Sequence, residues 1–261
     1  GGAAPLKTAK EPGEKHRLKP YFNFGGRKFF NHMNHSDLVK SHFDSKYYDY
    51  DILIRKLIPK YDDMHQLVVS AVDFPADKQF NILDLGIGTG QTSKALLEKF
   101  PNARIDGIDI SGKMIEQGKE RLKDFLDRVI FFEGDIKDLE VKKSYDAVVA
   151  VLCVHHLSGK QKQNLFRILF DALNPNGVFV VGDIIKFDSD IETLEKEKQW
   201  KDFLIKNLGE KEGDYWFENY QEEDLPSSIP EQLRWMQEAG FAEAKLLWEY
   251  MNYGVLFARK S

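Results

Sequence analysis

Residues 81–90 read Asn-Ile-Leu-Asp-Leu-Gly-Ile-Gly-Thr-Gly, a short apolar run that ends in alternating glycines. The apolar residues predict a buried strand, and the glycines allow a tight turn whose backbone approaches a ligand closely. Helical periodicity follows from Gln91, so the free N–H groups at the helix start face a bound molecule. The stretch therefore predicts a cofactor-binding loop in which Gly86 and Gly88 contact the ligand.

The next apolar run, residues 105–110, carries an acid at its end. Asp109 lies nineteen positions after Gly90, which is the spacing expected for a carboxylate that binds ribose hydroxyls. This predicts an adenosine-containing ligand without separating NAD from others. The dinucleotide fingerprint needs a glycine at position 91, where this chain has Gln91. The spacing here is G-x-G-x-G.

This glycine spacing resembles motif I of class I S-adenosylmethionine-dependent methyltransferases of the small-molecule type. The chain is also distantly similar to the carboxy-S-adenosylmethionine synthase group, and the resemblance covers residues 47–260. It implies S-adenosylmethionine as the cofactor. In the family a residue in the position of Met114 packs on the adenine, and the acid of Glu133-Gly134-Asp135-Ile136 accepts from the adenine amino group. The implied contacts after the glycine loop are Asp109, Ile110, Met114, Asp135, Ile136 and Val151.

A helix is predicted from Asp49 to about Ser70, interrupted near Pro59 because proline ends or kinks a helix. The segment resembles one that closes an aromatic residue and an arginine over the methionine part of the cofactor. By that resemblance Tyr50 and Arg55 are cofactor-binding candidates. Arg55 has the planar set of donors that suits a carboxylate. A solvated helix charge is the alternative for Arg55.

Length and charge limit the possible functions. The chain has 261 residues, a net charge of −5 and one cysteine, Cys153. A chain of this length can form one hydrophobic core with a cap. Acidic and basic residues are interspersed, so the composition does not indicate a basic surface that would bind nucleic acid. A small-molecule partner is favoured and nucleic acid is not expected. The sequence shows no signal peptide and no run of eighteen apolar residues, so no membrane partner and a cytoplasmic location are expected. The oligomeric state is left open, and a homodimer is one possibility.

Composition divides the chain into three parts. Residues 1–20 are polar and are predicted to be a flexible tail. Residues 21–75 are predicted to form a helical N-terminal segment that is rich in aromatic rings, which either pack on the core or form a lid over the substrate. No metal site is predicted, because His32, His35 and His42 in this segment lack cysteines and a compact ligand pattern.

Residues 76–261 are predicted to form a Rossmann-like methyltransferase domain. Alternating strands and helices predict an α/β fold, a doubly wound and mostly parallel seven-stranded sheet. The alternation stops between residues 187 and 229, which we interpret as a helical cap insertion after strand 5. The chain then ends in two strands, Ala244–Tyr250 and Tyr253–Arg259, that resemble the antiparallel closing hairpin of methyltransferases.

Chemistry is expected where the central strands end. The buried run from Ala147 to Val154 leads into His155-His156, at the edge where open α/β sheets bind ligands. His156 is predicted to act as a general base or to orient the substrate, with a structural hydrogen-bonding role as the alternative. Further substrate candidates are Asp183 after the fifth strand, and Trp200 and Trp216 in the insertion. As the alternative, the rings of Trp200 and Trp216 pack in a small hydrophobic core within the insertion.

The predicted function is in-line methyl transfer to N, O or S of a small molecule. One alternative is a non-catalytic protein that senses the cofactor and binds a partner. Another is a tRNA-modification-related enzyme like the carboxy-S-adenosylmethionine synthases. Their carboxylate-binding arginine would fall at Trp235, with Arg234 one position away, and this departure counts against that activity. The acceptor and its reacting atom stay open.

Overall fold

Seven strands form one sheet in the computed structural model, which describes residues 50–261. The strands follow the order β3-β2-β1-β4-β5-β7-β6. The first five are parallel, and β7 is antiparallel to both β5 and β6. The predicted sheet and its C-terminal hairpin are confirmed. The bounds are β1 Asn81–Leu85, β2 Arg104–Asp109, β3 Val129–Glu133, β4 Tyr145–Val151, β5 Leu173–Ile184, β6 Glu243–Tyr250 and β7 Tyr253–Arg259.

Helices cover both faces of the sheet. Two precede it, which confirms the predicted helical segment with its break at Pro59, and two more lie in the predicted insertion. In chain order they are α1 Tyr50–Leu57, α2 Tyr61–Ala71, α3 Gln91–Lys99, α4 Gly112–Arg121, α5 Gly159–Ala172, α6 Asp190–Leu208, α7 Glu210–Glu223 and α8 Ile229–Ala239. Short 3₁₀ turns cover Lys123–Phe125, Ile136–Asp138 and Val154–His156.

The hydrophobic core has two layers, one on each face of the sheet. Successive side chains of a strand point to opposite faces, so Ala147 and Val149 of β4 join one layer while Val148 and Ala150 join the other. This double burial explains why β4 has a continuous apolar sequence rather than an alternating one. The parallel strands consequently end together at one buried edge.

The insertion packs as a pair of helices. A Cβ added at Gly213 of α7 would lie 2.7 Å from the backbone nitrogen of Ile205, so glycine lets α6 and α7 approach closely. Trp200 of α6 is buried between α1 and the sheet, and its Nε1–H donates to the carbonyl of Leu57 at 2.8 Å. The insertion is therefore joined to the N-terminal helices by a buried hydrogen bond.

Some predictions lie outside the described residues. The flexible tail of residues 1–20 and the aromatic segment up to residue 49 belong there, together with His32, His35 and His42. Their predicted roles stay predictions. Among the helices of residues 50–261, none combines the length and the apolar composition needed to cross a membrane.

Gly86→Ala should destabilise the fold. Gly86 has φ +66°, and an added Cβ would lie 2.6 Å from Cys153 Cβ, so alanine adds an overlap to the backbone strain. Gly209→Ala is the matched control, because Gly209 has φ +87° with nothing within 4 Å of an added Cβ. We expect Gly86→Ala to lower the free energy of unfolding in urea by about 1–3 kcal/mol more than Gly209→Ala. Equal losses would show that backbone strain alone restricts position 86.

Candidate functional site

A cavity of about 340 Å³ lies where strands β1 to β4 end. This volume is in the range of small-molecule sites. Nine of the ten residues that the sequence proposed for cofactor binding line it, all except Arg55: Tyr50, Gly86, Gly88, Asp109, Ile110, Met114, Asp135, Ile136 and Val151. We call this space the cofactor cavity.

Asp109 fastens the glycine loop to the next helix. One carboxylate oxygen accepts the N–H of Gly88 at 2.8 Å, and the other accepts the N–H of Ser111 at 2.9 Å. Ser111 is in turn the N-cap of α4, since its hydroxyl accepts the N–H of Met114 at 3.2 Å. The carboxylate of Asp109 is thus held at the cavity wall by two backbone donors.

The wall of the cofactor cavity combines apolar side chains with a second acid. Met114 is buried, and a Cβ at Gly88 would lie 3.5 Å from its Cε, so glycine keeps this part of the cavity open. Asp135 accepts the backbone N–H of Lys137 at 3.0 Å and forms an ion pair with the ammonium of Lys137 at 2.9 Å. An acid is therefore fixed beside an apolar surface.

Helix α1 is tied to the glycine loop by a network that the sequence did not suggest. Asp51 forms an ion pair with Arg121 of α4 and accepts the hydroxyl of Thr89 at 2.9 Å. Arg121 also donates to Thr89 Oγ1 at 3.1 Å. This network places the neighbouring residue, Tyr50, in the cavity wall.

Arg55 has a different position from the one that the resemblance implied. Its guanidinium forms an ion pair with Asp62 at 2.9 Å and donates to the carbonyl of Asp51 at 2.6 Å. It is exposed and does not line the cofactor cavity. This agrees with the alternative of a solvated helix charge, because Arg55 points away from the loop on a helix whose opposite face is buried.

Three buried acids lie near the Cys153 thiol, which lines the cofactor cavity. Burial, followed by the carboxylates of Asp183, Asp84 and Asp109, raises the pKa of the Cys153 thiol. The thiol therefore stays protonated near neutrality. The same field favours a bound cation.

A second cavity of about 110 Å³ opens beside the first. The two share Tyr50, Leu152 and His156 as lining residues. Leu152 has φ +54°, a strained conformation for leucine, and its N–H donates to the carbonyl of Gly182 at 2.9 Å. Such strain is concentrated at functional sites in proteins. We call this second space the acceptor cavity.

The acceptor cavity is mostly apolar with polar groups at one end. Trp200 and Trp216, both predicted substrate residues, line it. Trp200 also packs edge-on against Tyr220 and Tyr253, so it serves the core of the insertion as well. The remaining lining residues are Leu53, Ile54, Leu57, Ile58, His155, Ile184, Asn219, Tyr220, Glu223, Asp224 and Tyr253.

Asp183 does not line the acceptor cavity. It contacts His155, which does. Its Oδ2 accepts the backbone N–H of His155 at 2.9 Å, and its Oδ1 is bonded to Nδ1 of the same residue. The predicted direct contact of Asp183 with substrate is therefore not what this geometry favours. Asp183 is buried, with 4% of the residue exposed.

The adjacent histidines have different environments. Burial lowers the pKa of His155, but the carboxylates of Asp183 and Asp224 raise it by more, so the net shift is upward. Burial and the charge of His155 lower the pKa of His156, against the effect of Asp224. His156 is consequently a neutral imidazole at neutral pH, with a lone pair at the boundary of the two cavities.

Asp224 is the functional candidate that sequence reasoning missed. Its Oδ1 lies 3.2 Å from His156 Nδ1 and 3.5 Å from His155 Nε2. The N–H of Leu225 donates to the carbonyl of His155 at 2.8 Å, which fixes the end of α7 over the histidines. The sequence showed Asp224 only as one of several acids in a charged stretch, with no local pattern to distinguish it.

The cofactor cavity suits the ligand that the sequence predicted. Asp109 and Asp135 offer acceptors for hydroxyl and amino groups, Met114 offers an apolar contact, and the field of the buried acids favours a sulfonium. Both glycines of the loop have a positive φ, +66° at Gly86 and +52° at Gly88, and a Cβ added at Gly86 would overlap Cys153. These features fit an adenosine ligand that carries a positive charge.

Comparison with known proteins agrees with a cofactor cavity for S-adenosylmethionine. Residues 82–177 match the family model described as a methyltransferase domain. This domain match and the relatives described below support a class I S-adenosylmethionine-dependent methyltransferase. The matched range runs from β1 into β5, so it contains the glycine loop and every strand that ends at the cofactor cavity. The predictions of an enzyme and of the S-adenosylmethionine cofactor are confirmed at the level of the family.

Two kinds of relative stand out. The carboxy-S-adenosyl-L-methionine synthase of Helicobacter pylori (strain Shi470) is 27% identical over 84% of this methyltransferase chain and 94% of its own length. Malonyl-[acyl-carrier protein] O-methyltransferase 1 of Ilyobacter polytropus is 31% identical over 49% of each chain. The chain thus spans about half of the second relative's length.

A solved structure shows the same fold. An O-methyltransferase family protein from Burkholderia thailandensis superposes with a TM-score of 0.61 at 15% identity, covering 85% of this chain and 62% of that one. At this identity the likeness concerns the fold alone. The methyltransferase therefore spans less than two thirds of that structure.

Asp109→Asn should weaken cofactor binding. The change removes the charge and one acceptor that hold the glycine loop, and we expect S-adenosylmethionine to bind about 10–100-fold more weakly. Isothermal titration measures this. Asp106→Asn is the control, since Asp106 is buried in the same strand but pairs with Lys143 and Tyr145 outside the cavity. A similar loss in both variants would contradict the assignment of Asp109.

Asp51→Asn should loosen α1 from the glycine loop. Losing the ion pair to Arg121 frees Tyr50 from the cavity wall, and we expect about 3–10-fold weaker S-adenosylmethionine binding in the same titration. Asp62→Asn removes the exposed ion pair with Arg55 and should leave affinity within about twofold. If both variants bind like wild type, the network has no part in shaping the cavity.

Proposed function

We propose that this enzyme transfers the methyl group of S-adenosylmethionine to N, O or S of a small molecule. The observation that carries the proposal is the shared wall of the two cavities, formed by Tyr50, Leu152 and His156. A donor in one cavity and an acceptor in the other would meet at that wall. This is the arrangement that in-line transfer requires.

The protein's own residues position the acceptor and exclude water from the reacting atoms. The sulfonium of the bound cofactor carries the activation, so the protein has to orient the acceptor. Trp200 and Trp216 would hold the apolar part of the acceptor, and the small volume of the cavity limits that part to a few atoms. His156 would contact the reacting group and either orient it or take up its proton.

Radiolabel transfer tests the proposal. The full chain is incubated with methyl-labelled S-adenosylmethionine and a metabolite extract, and the small molecules are separated. Label in a small product supports methyl transfer. Retention of all label in the cofactor, in a protein that binds S-adenosylmethionine by titration, would favour the non-catalytic alternative.

A second candidate is the synthesis of carboxy-S-adenosylmethionine, which the first relative favours through its 94% coverage. The positions of the side chains on α8 argue against this synthase activity. Trp235 is buried in the core, and Arg234 is exposed beside Glu238, so neither supplies the expected arginine to the cavity. Mass spectrometry of the recovered cofactor separates the two activities, because a carboxyl group gained by S-adenosylmethionine would identify the synthase.

His156→Ala should slow turnover without weakening cofactor binding. We expect kcat to fall roughly 100-fold, because the acceptor loses its polar contact at the shared wall. The affinity for S-adenosylmethionine should stay within about twofold, since other residues form most of the cofactor cavity. His65→Ala is the control: His65 is also buried, but it is bonded to Thr92 at 2.9 Å on α3. Unchanged turnover in His156→Ala would assign His156 a structural role.

A further inference from the structure

Three side chains converge at the polar end of the acceptor cavity. His155, His156 and Asp224 each offer one ligand atom, and these atoms all lie within 4.8 Å of one another. Asp224 Oδ1 is 3.2 Å from His156 Nδ1 and 3.5 Å from His155 Nε2. Ligands held about 2.0–2.1 Å from a tetrahedral zinc ion are separated by roughly 3.4 Å. The two measured separations have the size found between ligands of one metal ion.

The surroundings of His155 strengthen this comparison. Its Nδ1 is bonded to Asp183, and its Nε2 is the atom that faces Asp224. Imidazoles that bind metal ions typically donate their other N–H to a carboxylate, which fixes the tautomer and the direction of the ring. Asp183 is itself held by the backbone N–H groups of His155 and Ile184, at 2.9 and 2.8 Å. The carboxylate and the ring therefore form a rigid, buried pair.

We propose that His155, His156 and Asp224 bind one divalent transition-metal ion, with Asp183 orienting His155. Two imidazole nitrogens and one carboxylate oxygen suit Zn²⁺ or Fe²⁺, whereas Mg²⁺ and Ca²⁺ prefer sites made of oxygen. Three protein ligands leave at least one position for a small molecule in the acceptor cavity. This revises the expectation of no metal site, which considered the histidines of the N-terminal segment.

This inference rests on the proposed function, because it assumes that the methyl acceptor lies in the acceptor cavity. It adds the chemical class of that acceptor. The acceptor would be a hydroxyl, thiol or amine whose pKa the ion lowers. Its proton leaves to solvent, its lone pair forms the bond to the methyl carbon, and the electron pair of the broken C–S bond stays on sulfur. His156 then holds the ion in place of taking the proton.

Metal binding by the full chain tests the inference directly. The protein is stripped with a chelator and dialysed against Zn²⁺, and bound metal is measured by elemental analysis. Co²⁺ serves as a second probe through its visible ligand-field absorption. The readout is the difference between wild type and variants, because metal bound elsewhere on the chain cancels in that difference. We expect wild type to bind one more ion than His156→Gln or Asp224→Asn, and His65→Gln to bind like wild type.

Asp183→Asn provides a second measurement. As a positioning residue it should leave the ion count unchanged but weaken Zn²⁺ affinity by about 10–100-fold. Circular dichroism and urea unfolding check that every variant is folded. Equal binding of Zn²⁺ and Co²⁺ by folded wild type and the His156→Gln, Asp224→Asn double variant would overturn the site.

The outcomes also separate the two proposals. Label transfer that persists in chelator, with no difference in metal content between wild type and the double variant, rejects the metal site and keeps methyl transfer. A bound ion without any label transfer rejects methyl transfer and keeps the metal site.

Discussion

The hydrogen bond from the N–H of Gly88 to the carboxylate of Asp109, 2.8 Å long, is the contact on which the cofactor cavity depends. It joins the ends of β1 and β2, two neighbouring parallel strands. The same carboxylate holds the N–H of Ser111 and so fixes the start of α4 and the position of Met114. Because one acid orders the loop and the helix together, a ligand meets a cavity that is already shaped and loses little free energy in ordering it.

Leu152 is a second constraint, because it belongs to both cavities. Leucine with φ +54° is strained, and the hydrogen bond to Gly182 of β5 together with burial on both sides maintains the conformation. Methyl transfer needs two ligands separated by no more than a reacting distance. A thin wall built from one strained residue, Tyr50 and His156 meets that need, and the fold provides it where β4 ends.

Charge links the two cavities. Buried acids lie where the strands end, and burial, followed by the negative field of these carboxylates, raises the pKa of the Cys153 thiol. Such a field suits a sulfonium on one side of the wall and an imidazolium or a metal ion on the other. His155 lies between Asp183 and Asp224, so a positive group there offsets two acids that would otherwise be buried at a high cost in desolvation.

The sequence by itself determined the order of strands and helices, the glycine loop and the acids that follow β2 and β3. These features are local: periodicity gives the element, a positive φ requires glycine, and an acid at a strand's end must lie at the ligand edge. Only the tertiary structure decided the contacts of Arg55, Asp183 and Asp224. The direction of a side chain depends on partners far away in the chain, such as Asp62 for Arg55, or the hydrogen bond from Leu225 to His155 that brings the end of α7 over the histidines. No local pattern encodes such pairings, because they arise from the packing of whole elements.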